Sequence, residues 1–152
     1  MVAIFNLHHR LGSFGFLKLM GVIIMMTTNA NAALSFKLKP PQYYFADNKT
    51  LSLLTSAMAG DLQKAKQLVV QGANPNDEGP HDNPYNRLRP LHYAIAANNT
   101  QAVRILVTVG ADPELSAQGF GRSFLFAMTL ENIKMLSLLL DLRLEHSFQG
   151  YY

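Results

Sequence analysis

From Thr50 onward, apolar residues recur at three- and four-residue spacing, and the runs they form repeat along the chain. Three stretches carry the pattern: LLTSAMAGDLQKAKQLVVQGANPN over 53–76, PLHYAIAANNTQAVRILVTVGADPE over 90–114 and SFLFAMTLENIKMLSLLLDLR over 123–143. Aligning Gly72 with Gly110 gives a period of 38 residues, and aligning Arg89 with Arg122 gives 33. Periods of that size mark stacked supersecondary units. Each unit reads as two short amphipathic helices and a turn. In the middle unit Pro90 stands at a first helical position, which tolerates a missing N–H. Leu91, Ala94 and Ile95 then share one apolar face. Asn98-Asn99 breaks the first helix, and Val103, Ile105, Leu106 and Val107 form the buried side of the second. Gly110 falls where a helix end needs a left-handed residue, and Ala111-Asp112-Pro113 leads into an extended turn. The first unit uses the same parts: Ala57, Gly60-Asp61, Ala65, Leu68-Val69 and Gly72-Ala73-Asn74-Pro75-Asn76.

This pattern resembles the ankyrin repeat, with its T-P-L-H-x-A-A opening and its closing G-A-D. The middle copy is clearest, in Pro90-Leu91-His92-x-Ala94 and Gly110-Ala111-Asp112. The first copy keeps Gly72-Ala73-Asn74 but has Leu53-Leu54 for the Leu-His pair, and the third lacks the closing Gly-Ala-Asp. The resemblance covers residues 50–143. It implies an all-α solenoid of about three helix-turn-helix units with hairpin-like connecting turns. Arg89 and Arg122 replace the usual Thr, so its side-chain cap is absent. The five extra residues of the longer period, within 78–86, must bulge out of the first hairpin. Three units are near the minimum for such a stack, so end caps matter. Tyr43, Tyr44 and Phe45, in a capping segment over 33–49, are expected to cover the first unit. Leu142, with Leu144, Phe148, Tyr151 and Tyr152 of a tail over 144–152, is expected to cover the last.

Residues 1–32 have a different character, that of a secretory signal. His8, His9, Arg10 and Lys18 give a positive n-region, residues 19–26 an apolar run, and Ala30-Asn31-Ala32 a small-x-small cleavage pattern ahead of Ala33. The run is shorter than the ~20 residues that span a bilayer. The readings it competes with are an uncleaved anchor and a buried helix. Cleavage would leave no stable membrane anchor, and the layout points to a bacterial periplasm, with secretion beyond it left open.

Composition narrows the chemistry. The chain of 152 residues is 49% hydrophobic and 15% charged, enough for one packed domain. Its formal charge of +3 falls to +1 without Arg10 and Lys18, and no basic cluster remains to grip phosphates, which argues against nucleic acid. There is no cysteine, hence no disulfide, thiolate nucleophile or Cys-based zinc site. Nor is there a Gly-x-Ser-x-Gly elbow, an H-E-x-x-H pair or a phosphate-cradling loop. His81-Asp82 has no third ligand nearby, and Gly119-Phe120-Gly121 reads as a turn between units. Met58, Met128, Met135 and the 136–140 run read as core. His92 lacks the partner that a base or metal site requires; the resemblance gives it a register bond between neighbouring units. No cofactor is expected and the chain does not read as an enzyme.

What remains is surface. The resemblance implies that turn tips and first helices bind another protein. Its positions carry over to Tyr85, Asn86 and Leu88 at the tip before the middle unit, Ala96 and Ala97 at the end of its first helix, and Thr129 and Leu130 in the next unit. The inserted loop adds His81, Asn83, Pro84 and Arg87; Tyr85 and Arg87 lead, because aromatics and arginine dominate protein–protein hot spots. Two roles fit: an immunity or inhibitor protein occluding a secreted toxin or hydrolase, or an accessory scaffold for an envelope complex or stress enzyme.

Overall fold

The computed structural model describes residues 37–79 and 87–149, except the side chains of 144–149. Residues 1–36, 80–86 and 150–152 lie outside it, which takes in the expected leader, most of the inserted loop, and Tyr151 and Tyr152.

Three helix pairs form among the described residues: α1 (Asn48–Met58) with α2 (Leu62–Val70), α3 (Pro90–Ala96) with α4 (Thr100–Thr108), and α5 (Ser123–Thr129) with α6 (Ile133–Gln149). The helices stop where the sequence places left-handed backbone. Gly60, Asn98 and Glu131 hold the same position in successive units, at φ of 82°, 53° and 53°. Gly72 and Gly110 end α2 and α4 at 93° and 104°, where a side chain would strain the turn. Beyond each of them a buried alanine donates back into the helix, Ala73 to Leu68 O and Ala111 to Leu106 O. With no glycine in its path, α6 continues to Gln149. Second helices begin on side-chain caps: Asp61 accepts from Lys64 N and Asn99 from Ala102 N, both at 2.9 Å. The first helices of the second and third units lack such a cap, as their Arg89 and Arg122 N-caps lead one to expect. In the first unit Asp47 does the job, accepting from the Thr50 amide at 2.8 Å, and that backbone bond holds its carboxyl below the usual range.

First helices pack side by side, as do second helices, so the core is a continuous layer between the two rows. Leu53, Leu54, Ala57, Leu88, Ala94, Ile95, Val103 and Leu106 are fully buried in it. The turn before α5 is a small hairpin, closed by paired backbone bonds between Ala117 and Gly121. Both glycines of 119–121 have positive φ, as their role in a turn requires. At the N-terminal side a single 3-10 turn, Pro41–Tyr43, sets Tyr44 and Phe45 into the core. Their rings lie 5.8 and 6.2 Å from that of Tyr93, so this cap reaches past the first unit to α3 of the second. Tyr43 stays 40% exposed, with the Lys39 ammonium over its ring. Leu142 is buried at the other end.

Candidate protein-binding surface

The turns are fixed to one another by side chains that reach from unit to unit. Arg89 is 8% exposed; its guanidinium donates to Ser116 O at 2.9 Å and to Asn76 O, and it pairs with the Glu78 carboxylate. One side chain thereby ties the turn after the first unit to the turn after the second. Asn76 makes a parallel link, donating to Gly110 O at 2.9 Å and accepting from Asp112 N at 2.8 Å. At the opposite ends of the first helices, Asn99 donates to Met58 O and Asn132 to Asn98 Oδ1, both at 3.0 Å. Asn99 and Asn132 also accept from the first turns of α4 and α6, so each caps its own helix and holds the unit before it.

His92 is fully buried between the second and third units. Its Nε2 lies 2.9 Å from Gly121 O, and its ring lies 5.5 Å from that of Phe126, tilted 41° to it. Burial pulls its pKa down to about 4, so the imidazole is neutral at ordinary pH and its Nε2–H donates to the carbonyl. That is the register bond expected of it.

Against this frame the expected binding residues divide. His81, Asn83, Pro84, Tyr85 and Asn86 lie outside the described residues. Arg87 is half-buried and lines a cleft of about 150 Å³ with Glu78, Arg89 and Ser116. Leu88 is a correction: it is fully buried, because the extended chain entering α3 turns this side chain into the core, where it cannot meet a partner. Ala96 and Ala97 are half-buried at the end of α3, Thr129 is exposed at the end of α5, and Leu130 is half-buried against the core. These four come together, since the Asn132–Asn98 bond holds those two helix ends side by side. Arg87 lies at the far end of α3, roughly 10 Å away along a helix of this length.

Two further features went unread in the sequence. Met128 and Leu140, expected in the core, are 51% and 47% exposed, with Phe124 and Leu125 beside them on α5 at 38% and 54%. Near the start of α5 is an apolar hollow of about 500 Å³, lined by Val107, Ala111, Pro113, Phe124, Leu139 and Leu140. At its rim Glu114 meets Arg122 at 3.0 Å and Arg143 at 3.9 Å. Among the described residues no group of three His, Cys, Asp or Glu side chains is placed to hold a metal ion, and no helix is long and apolar enough to cross a membrane.

Helix pairs stacked at a regular period and clasped through their turns define an α-helical solenoid. Within that class the chain belongs to the ankyrin-repeat family: a model of ankyrin repeats matches it, in three copies, over residues 53–149. A comparison with curated proteins finds no match. Ankyrin repeats are protein–protein interaction modules, generally without enzymatic activity, and they give this chain another protein as its partner class.

Proposed function

We propose that the chain is exported to the periplasm and acts there as a stoichiometric binding protein, in its sharper form an immunity or inhibitor protein that occludes a secreted toxin or hydrolase. The observation behind this reading is the pre-set surface. Arg89, Asn76, Asn99, His92 and Asn132 each bond across a unit boundary, so turn tips and first helices hold their relative places before any partner arrives. A surface ordered in advance loses little conformational entropy on association, which favours the tight complexes that inhibition by occupancy requires. The n-region, apolar run and Ala30-Asn31-Ala32 of the leader support export.

The test is to express the full chain with its own leader and a C-terminal tag in a bacterial host, crosslink in the periplasm and identify captured proteins by mass spectrometry. One dominant partner at one-to-one stoichiometry, whose hydrolytic or toxic activity falls as the chain is titrated in, supports the inhibitor reading. Several envelope proteins at low occupancy favour the scaffold reading. Cytoplasmic recovery with an intact N-terminus rejects both.

A further inference from the structure

The 33-residue step from the second unit to the third sets Phe124, Leu125 and Met128 at the positions of Leu91, His92 and Ile95. On α3, where the third unit packs, those residues are 2%, 0% and 0% exposed. On α5 their counterparts are 38%, 54% and 51% exposed. The open side of α5 thus continues, one period on, the apolar interface that joins the units inside the chain. Contiguous apolar exposure of this kind marks an association surface. The opposite end of the stack differs: Asn48, Lys49, Ser52 and Thr55 are the exposed residues of α1, and the two hydroxyls bond back to their own helix. A copy added head to tail would set polar α1 against apolar α5, so that arrangement is disfavoured.

The open face is complementary to itself. Arg122 stands exposed just before α5 and Glu131 exposed just after it, with Leu125 and Met128 between them. Turning a second α5 antiparallel about a two-fold axis midway along the helix sets each Leu125 against the other copy's Met128. The same operation brings each Arg122 to the other copy's Glu131 and opposes the two helix dipoles. We propose that two copies of this chain associate through the open faces of α5 as a two-fold dimer, with Phe124, Leu125 and Met128 at its centre and Arg122–Glu131 pairs at its ends.

The experiment is sedimentation equilibrium on the purified full chain over a micromolar concentration series. The expected result is a mass of two copies that dissociates on dilution. Leu125→Glu and Met128→Glu change exposed residues, so each should keep the helical circular dichroism of the parent while weakening association at least about tenfold. Arg122→Glu and Glu131→Arg should each weaken it by setting like charges together, and the double exchange should restore it. That restoration separates pairing between copies from the contact of Arg122 with its own Glu114, which the double exchange does not rebuild. A monomer across the whole series, a dimer indifferent to Leu125→Glu and Met128→Glu, or no restoration in the double exchange would overturn the proposal.

Discussion

Arg89 and His92 sit one helical turn apart at the start of α3, and each holds a neighbouring turn by a backbone carbonyl. Replacing Arg89 by Ala would strip the donor from Asn76 O and Ser116 O, and we expect a loss of about 2–4 kcal/mol in urea unfolding. Arg89→Lys should recover little of it, because one ammonium cannot span three acceptors set around a planar fork. His92 adds a dependence on pH. Its folded pKa is lowered from 6.5 to about 4, so below pH 6.5 the unfolded chain takes up a proton that the folded chain refuses. The stability linked to His92 is therefore complete above pH 6.5 and drains away as pH falls to about 4, by about 3 kcal/mol in all. The first unit carries Leu54, fully buried, at the equivalent position, so His92→Leu should still fold. It should be less stable at neutral pH, lacking the bond to Gly121, and its unfolding midpoint should fall less steeply than the parent's between those pH values. The register role of His92 was legible because the Pro-Leu-His motif carries it. Arg89 could be read only as a missing cap, since nothing near it in the sequence points to an acceptor 27 residues away.

Helix boundaries are the most legible level, because short-range chemistry sets them. Asn98-Asn99 and the two Gly-Ala turns mark helix ends in the sequence and do so in the structure. What the sequence does not reveal is that the cap of a second helix is also a strut between units. Asn99 shows how the two roles can be separated. Asn99→Ser keeps an oxygen for the Ala102 amide but loses the donor to Met58 O, whereas Asn99→Ala loses both. We expect thermal unfolding to place Asn99→Ser between the parent and Asn99→Ala, the latter about 1–2 kcal/mol down. Equal losses in the two variants would mean that the strut carries all of the effect. A neutral Asn99→Ser would mean that it carries none.

At the scale of the whole molecule, the spacing of apolar residues foretells a helix face but not whether anything covers it. That is why Leu88 reads as surface and is core, while Met128 and Leu140 read as core and are half open: burial is decided by the neighbouring unit, not by the helix that bears the residue. The same dependence on neighbours governs stability. In a stack each unit is held by its own pairing and by the units on either side, so the middle unit couples two interfaces and an end unit only one. Leu106, fully buried in α4, and Leu138, 5% exposed in α6, are core residues of the middle unit and of the end unit. Truncating either to Ala should cost about 2–5 kcal/mol, against a total of roughly 5–15 kcal/mol for a domain of ordinary stability. The costs should be spread differently. In Leu138→Ala the third unit should open by itself, so hydrogen exchange rises in α5 and α6 while α1 and α2 keep their protection. In Leu106→Ala both interfaces weaken together, and exchange should rise in all three units in parallel with global unfolding. If Leu138→Ala instead loosened the three units equally, the stack would be one cooperative body and the third unit could not be a separable end.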